Sequence, residues 1–304
     1  MTAANVVVHV GLVLLLPPLL LGVVNKIKAA FAGRVGPPLL QPYHDFLKLL
    51  RKGSVLSRTT TWVFRAGPVV GLATALLAAL LIPIGGRPSL VSFEGDLVLF
   101  AYLLALGRFF TVAAALDTGS AFEGMGGARE ATFACLAEPA LFLSLMVLVR
   151  SSGSLSLSGM MGSSLPASWS IAAASLVAVV VSLLIVLLAE NSRIPFDDPN
   201  THLELTMVHE VMVLDHGGPA LAMILYGAAV KLFVMGALVV RIALPYDGAD
   251  PWSGAAVFVA GMLLLAVVIG VVESVMARLR LLQVPSLLVA ACVLSAFGIV
   301  LLAR

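Results

Sequence analysis

Residues 6–24 read VVVHVGLVLLLPPLLLGVV, an apolar run without a single Asp, Glu, Lys or Arg. A helix of this length crosses a hydrocarbon core of roughly 30 Å at about 1.5 Å per residue. The run has no basic segment before it and no small-residue cleavage site, so we expect it to be retained as a helix and not removed as a signal peptide. It therefore predicts the first of a series of membrane-spanning helices.

Similar apolar runs recur along all 304 residues, of which 61% are hydrophobic and only 11% are charged. Soluble domains carry roughly 25% charged residues, so this composition indicates a protein whose solvent is lipid. The predicted spans lie at 6–24, 66–84, 97–116, 131–149, 170–189, 219–240, 255–273 and 284–302. We therefore predict an all-α membrane protein with one transmembrane domain of eight helices over residues 1–304. The net charge of +2 does not indicate a nucleic-acid partner.

The basic residues gather in alternate connecting segments. If the segment after the first span is cytoplasmic, the inner segments contain 12 of the 18 Lys and Arg residues: Lys26, Lys28, Arg34, Lys48, Arg51, Lys52, Arg58, Arg65, Arg129, Arg193, Arg278 and Arg280. The positive-inside rule then predicts that both termini lie outside. The four inner segments, 26–65, 117–130, 190–218 and 274–283, converge on one membrane face and predict a docking surface.

The sequence lacks the ligands of a redox cofactor. Cys135 and Cys292 are isolated within apolar runs, and of the five histidines only His9 lies in such a run. Iron-sulfur clusters need four cysteines as a rule, and transmembrane haem needs facing histidines. His209-Glu210 begins like a zinc-binding HExxH motif, but Val213 stands where its second histidine would be. We expect this chain to bind no metal, haem or other cofactor.

Several ionisable residues fall within spans or at their ends: Arg108, Asp117, Glu130, Glu138, Glu190, Lys231 and Glu273. A charge at the bilayer centre costs at least roughly 2.5 to 3.5 kcal/mol on insertion scales, so such groups are paired, hydrated or used in proton relays. For Glu138 and Lys231, which lie inside their spans, we favour a relay. For Arg108 and Glu273, structural pairing and function both stay open.

The segment between the fifth and sixth spans holds the densest group of titratable residues. Pro195 and Pro199 interrupt a helix, and Thr201 with Glu204 has the spacing of a capping box for a new one. On that predicted helix, one stripe carries His202, Thr206, His209 and Glu210. Acids and imidazoles between two spans suit a proton entry path, although a solvated polar face explains the same stripe.

The segment after the first span predicts an amphipathic helix. Phe46, Leu47, Leu49 and Leu50 alternate at helical spacing with Asp45, Lys48, Arg51 and Lys52. This pattern is typical of a helix lying in the membrane interface. A lipid anchor without any further role has the same pattern.

These segments resemble the family that includes subunit 1 of respiratory complex I and the corresponding subunit of group 4 membrane-bound nickel-iron hydrogenases. Its first cytoplasmic loop is similar to Arg34-Val-Gly36-Pro37, Leu40-Gln41, Asp45 and Lys48, and its third to Ala189-Glu190, Arg193, Pro195, Phe196 and Asp197. A second set of residues resembles the hydrogenase branch of this family, which formate hydrogenlyase and hydrogenase-4 typify. These residues are Arg108-Phe-Phe, Leu116 to Phe122, Gly126, Arg129-Glu130 and Glu138-Pro139.

The resemblance implies a heel subunit in the cytoplasmic membrane of a bacterium or archaeon. It would dock a soluble arm to antiporter-like membrane subunits, and a nickel-iron centre and iron-sulfur clusters would lie in the partners, where the redox chemistry occurs. Complex I members carry further carboxylates where this chain has Asn200 and His202. A quinone-site subunit of complex I is therefore the first alternative, and a stand-alone secondary transporter is the second.

Two groups of site residues follow from the sequence and the resemblance. The proton-relay candidates are Asp117, Glu130, Glu138, Glu190, Asp197, His202, Glu204, His209, Glu210 and Lys231. The candidates for subunit docking are Arg34, Gly36, Pro37, Gln41, Asp45, Lys48, Arg129 and Arg193.

Overall fold

The structure is a computed structural model that describes residues 3–197, 207–246 and 251–302. Within these ranges the regular secondary structure is helical throughout. The helices are α1 (Ala3–Phe31), α2 (Gln41–Leu50), α3 (Trp62–Leu81), α4 (Asp96–Asp117), α5 (Ala121–Ser152), α6 (Leu157–Met160), α7 (Ser164–Glu190), the 3-10 helix η1 (Glu210–Val213), α8 (Gly218–Ala243), α9 (Pro251–Val275) and α10 (Val284–Leu302).

The eight predicted spans are confirmed. In the described part of the chain, eight helices are long and apolar enough to cross a membrane, namely α1, α3, α4, α5, α7, α8, α9 and α10. The amphipathic helix is also present as α2, with Phe46 edge-on to Tyr226 of α8 at 5.6 Å between ring centroids. The outside location of both termini stays a prediction.

The double proline of the first span lies inside a continuous helix. Pro18 has no N–H to donate to the carbonyl of Leu14, which would normally be its partner four residues earlier. The hydroxyl of Tyr226 donates to that carbonyl at 2.8 Å, and the hydroxyl of Tyr43 donates to the carbonyl of Leu15. Neighbouring helices therefore replace the missing backbone bond and fasten α1 to α2 and α8.

Helix α8 is the centre of the bundle. In its most apolar stretch 67% of the residues are buried, compared with at most 44% in the other spans. It packs against α1, α3, α7 and α9, while α10 closes the bundle by packing on α5 and α7. A charged side chain in the middle of α8 is therefore surrounded by protein.

The predicted inner loop at 117–130 is wrong for most of its length. Helix α5 begins at Ala121, so Arg129 and Glu130 are helical and only the link 118–120 joins α4 to α5. The first proline of this segment is Pro139, and Glu123 in the first turn interacts favourably with the helix dipole. Polar composition had marked as a loop what is the start of a long helix.

The predicted helix after Pro199 is not present in its described part. Residues 198–206, and with them His202 and Glu204, lie outside the described residues. Residues 207–209 are not helical, and Glu210–Val213 forms a short 3-10 helix. The carboxylate of Asp197 accepts hydrogen bonds from the backbone N–H groups of Val208 at 2.9 Å and His209 at 3.2 Å, which hold this backbone in a turn.

Candidate functional site

Five charged side chains meet near the middle of the bundle. Arg108 of α4 lies 3.4 Å from a carboxylate oxygen of Glu130, donates to Glu138, and donates to Glu190 at 2.6 Å. Lys231 of α8 lies 2.8 Å from the same oxygen of Glu190. We call these five residues the Arg108 cluster. Three carboxylates share two cations, so the cluster has a formal charge of −1 when every member is ionised.

The cluster draws on four helices because α7 ends deep inside the protein. Glu190 is the last residue of α7, whereas Arg108 and Lys231 lie near the middle of α4 and α8. The Glu190 side chain is 4% exposed and that of Arg108 is 9% exposed. Low dielectric strengthens each attraction here, and removal of any one partner leaves a buried charge uncompensated.

Two cavities adjoin the cluster, and a third lies next to them. The central cavity lies between α3, α4 and α8, and Arg108, Glu130, Glu190 and Lys231 line it together with His209. The lateral cavity lies between α4 and α5 and is lined by Arg108, Glu138 and Glu190 among others. The third cavity, which we call the inner cavity, lies beside α2 and is lined by residues including Asp45, Asp197, His209 and Glu210.

The lining residues connect the three cavities in series. Asn191, Ser192 and His209 line both the inner and the central cavity. Arg108 and Glu190 line both the central and the lateral cavity. Polar groups therefore run from the loop after α7 to the middle of the membrane. Burial lowers the pKa of the His209 imidazole, which favours the neutral ring that can both accept and donate a proton.

A second set of charges fixes the loop after α7 to the C-terminal ends of α1 and α9. Glu273, with a fully buried side chain, receives Lys28 at 2.8 Å and Arg193 at 3.3 Å. Arg278 binds Asp197 at 3.0 Å. We call these five residues the Glu273 clamp. The backbone N–H of Leu279 also donates to the carbonyl of Pro195 at 2.9 Å, so the link between α9 and α10 lies directly on this loop.

The structure distributes the relay candidates unequally. Glu130, Glu138, Glu190 and Lys231 form the Arg108 cluster, while Asp197, His209 and Glu210 line the inner cavity. Asp117 lies elsewhere: it accepts from the backbone N–H and hydroxyl of Thr61, at 2.6 and 2.8 Å, and from the N–H of Phe64 at 3.3 Å. It therefore caps the start of α3.

Most of the docking candidates lie on the surface around α2. Arg34, Gly36, Pro37, Asp45 and Lys48 are exposed or partly exposed, and Gln41 donates to Asp45 at 2.8 Å. Gly36 has a structural requirement of its own, since its φ is +67° and a Cβ there would lie 2.4 Å from the Cβ of Ala29.

Two docking candidates bind within the chain. Arg129 donates to the carbonyl of Met207 at 2.9 Å, and Arg193 belongs to the Glu273 clamp. Their contacts hold the loop after α7 in place.

Sequence reasoning did not identify the partners in the clamp or a buried histidine nearby. The sequence indicates only that Lys28 and Arg278 are basic residues of predicted inner loops. The packing of α1 and α9 shows that their partners are Glu273 and Asp197. His216 stacks on Phe64 with 3.9 Å between ring centroids, and burial lowers its pKa to about 4. No pattern in the sequence pairs these residues.

The sequence model of the NADH dehydrogenase family matches residues 4–303. The chain belongs to the NADH dehydrogenase family. Hydrogenase-4 component C of Escherichia coli (strain K12) is 34% identical over 282 residues, covering 90% of this chain and 87% of the relative. Formate hydrogenlyase subunit 4 of the same strain is 34% identical over 278 residues, covering 87% of each chain.

Two further matches are more distant. The H subunit of the NADH-quinone oxidoreductase of Paraburkholderia xenovorans (strain LB400) is 26% identical over 219 residues, covering 67% of this chain and 60% of the relative. A chain in the structure of the membrane-bound sulfane sulfur reductase, an archaeal respiratory membrane complex, matches with a TM-score of 0.82 over 95% of each chain at 21% identity, which establishes a shared fold. The predicted family resemblance, including its hydrogenase branch, is confirmed, and the chain is a multi-pass membrane protein.

Proposed function

We propose that this chain is the membrane-anchoring, proton-relaying heel subunit of a hydrogenase-type respiratory complex. Two relatives of matching length are named as a component of hydrogenase-4 and a subunit of formate hydrogenlyase. The observation that carries the relay part of the proposal is the Arg108 cluster itself, which lies between the central and the lateral cavity. His209 joins the central cavity to the inner one. A purely structural ion pair does not require cavities on both sides.

The relay depends on the excess of acid in the cluster. With three carboxylates and two cations, the cluster can take up one proton and become neutral, and its attraction for that proton grows in low dielectric. His209 lines the inner and central cavities and hands a proton towards Glu190 or Glu130. Glu138 receives the proton through the lateral cavity, which it lines together with Glu190, while Arg108 stays charged and holds both carboxylates.

The partners of this subunit follow from its two faces. The exposed surface around α2, with Arg34, Gln41, Asp45 and Lys48, receives the soluble arm, whose large subunit and iron-sulfur subunits hold the nickel-iron centre and the clusters. Antiporter-like membrane subunits join it within the bilayer. Among the described residues, no group of three or more His, Cys, Asp or Glu side chains is arranged to hold a metal ion.

Neutral isosteres in the cluster test the relay. Glu138→Gln and Glu190→Gln keep side-chain shape but cannot ionise. In proteoliposomes containing the whole complex, we expect both variants to retain redox turnover with an artificial acceptor and to lose most of the proton gradient. The measurement is the gradient formed per turnover, by a pH-sensitive dye trapped in the vesicles.

Glu94→Gln is the matched control, because Glu94 is an exposed carboxylate before α4, away from the cluster, where it accepts the N–H of Leu155 at 2.9 Å. It should form the parental gradient. Parental gradients in Glu138→Gln and Glu190→Gln, with the complex intact, would exclude the path.

A quinone-site subunit of complex I is the second candidate, and the inner cavity favours it. Leu21, Pro42, Phe46 and Leu225 give that cavity an apolar side opposite Asp45 and His209, which suits an amphipathic ligand. Purification in mild detergent separates the two: nickel and iron that co-elute support the hydrogenase assignment, and a flavoprotein with bound quinone supports this one. A chain that elutes alone supports a secondary transporter.

A further inference from the structure

The lateral cavity is a cleft between two helices that are neighbours in sequence. Helix α4 packs chiefly on α3, and α5 packs chiefly on α10 and α7, so α4 and α5 diverge beyond their short link. Tyr102, Val98 and Phe142 line the cleft and are 69%, 47% and 44% exposed. The cleft therefore opens on the side of the bundle, at membrane depth.

A carboxylate lies in this opening. The Glu138 side chain is 41% exposed, although Glu138 lies well inside α5, far from either end of the span. Within the described part of the chain, Glu138 binds Arg108, and Arg108 also serves Glu130 and Glu190. A carboxylate open to hydrocarbon is too costly to persist, because acyl chains offer it no hydrogen bond.

The exposure of Glu138 defines what is missing. It is the most exposed acid of the three, and it calls for a hydrogen-bond donor from outside the described residues. Ala101 and Ala105, one turn apart on α4, line the same cleft and allow a neighbouring backbone to approach closely, as small residues do at helix interfaces in membranes. Lipid headgroups lie at the membrane surface and do not reach this depth.

We propose that the α4–α5 cleft seats a transmembrane helix of a partner membrane subunit, which supplies a hydrogen-bond donor to Glu138. The proposal rests on the proposed function, since it requires a membrane partner. It assigns that partner's place on this chain: the side of α4 and α5, not the exposed side of α9 or α10. The Arg108 cluster is then completed between two subunits.

Photo-crosslinking in the intact complex tests the seat. A benzophenone amino acid replaces Tyr102 in the cleft or, as control, Phe297, an aromatic residue of α10 that is 55% exposed. We expect the Tyr102 probe to form an adduct with a membrane-spanning helix that carries a Lys, Arg, His, Asn, Gln, Ser, Thr or Tyr near its middle. Adducts with lipid alone, with a second copy of this chain, or with a helix lacking any such residue would overturn the proposal.

A bulky substitution gives an independent readout. Ala105→Trp should fill the cleft and release the partner membrane subunit while the soluble arm is retained, whereas Ala290→Trp, at an exposed alanine of α10, should release nothing. Equal retention in both variants contradicts the proposal. Neither readout measures proton transport, so the two proposals can fail separately. A helix bound in the cleft of a complex that forms no gradient would contradict only the relay. A normal gradient without a helix in the cleft would contradict only the present proposal.

Discussion

The Arg108 cluster and the Glu273 clamp are built from the same kinds of residue and differ in charge balance and access. The clamp has three cations for two carboxylates, and its central Glu273 is fully buried between Lys28 and Arg193. The cluster has three carboxylates for two cations and lines both the central and the lateral cavity. Two cations therefore compensate the single charge of Glu273, whereas the three acids of the cluster must share theirs.

The comparison separates two roles for buried charge in one bundle. The clamp joins the loop after α7 to α1, α9 and the link before α10, and so determines where that loop lies. The cluster begins at the residue where α7 ends, Glu190, and its geometry depends on that position. We infer that the clamp positions the end of α7, and with it Glu190 of the cluster. The first two of the following substitutions test whether the clamp and the cluster have these separate roles.

Arg108→Gln should have the largest effect. It removes the cation that three carboxylates share and leaves Lys231 to compensate them, and breaking a buried ion pair costs about 3 to 5 kcal/mol. We expect little stable complex in mild detergent and a clearly lower thermal midpoint. Arg150→Gln, at the exposed far end of α5, is the control and should behave as the parent. Adding Glu138→Gln should restore part of the loss. Equal midpoints for the two arginine variants would refute the shared-cation arrangement.

Glu273→Gln should have a smaller effect of a different kind. It leaves Lys28 and Arg193, which are 22% and 14% exposed and retain contact with water, so we expect a loss of about 1 to 3 kcal/mol. The thermal midpoint should fall, while the gradient formed per turnover by the surviving complex stays near parental. A variant of parental stability that loses its gradient would place Glu273 in the relay instead.

His216 belongs to neither set of charges, and its titration measures the pH sensitivity of the fold itself. Its pKa is lowered from its ordinary value of about 6.5 to about 4 by burial against Phe64. Between these values the unfolded chain binds a proton that the folded chain does not, so acid lowers stability by at most about 1.4 kcal/mol per pH unit.

His216→Phe keeps a ring against Phe64 and cannot titrate. The thermal midpoint of the parent should therefore fall more between pH 7 and pH 5 than that of the variant. Parallel curves would show that His216 does not contribute to acid sensitivity, and the remaining pH dependence would then come from other groups.

The fold was predictable because lipid imposes a length and a composition on each span. Residues 6–24 and the seven later runs can be identified as helices one at a time, and α2 can be identified from its own periodicity. The grouping of Glu138, Glu190 and Lys231 was also predictable, since an ionisable residue inside an apolar run needs a partner of opposite charge.

The contacts between helices were not predictable, because they depend on how each helix is rotated about its axis. The sequence suggested Asp117 as a relay acid, and the structure shows its carboxylate capping the start of α3. The sequence suggested Arg129 as a docking residue, and the structure shows it donating to the carbonyl of Met207. The sequence around Arg108 did not indicate that this residue would form ion pairs with acids of both α5 and α7. Hydropathy identifies which residues are buried and does not identify their partners.

The link 118–120 between α4 and α5 also bears on how the chain enters the bilayer during synthesis. A lone arginine at the centre of a span is costly to insert, roughly 2.5 to 3.5 kcal/mol on translocon scales. Because only three residues separate the two helices, α4 and α5 can insert as one hairpin, with Arg108 already facing Glu130 and Glu138. The order of helices along the chain thus gives this arginine its counter-charges at the moment of insertion, before α7 and α8 bring Glu190 and Lys231 into the bilayer.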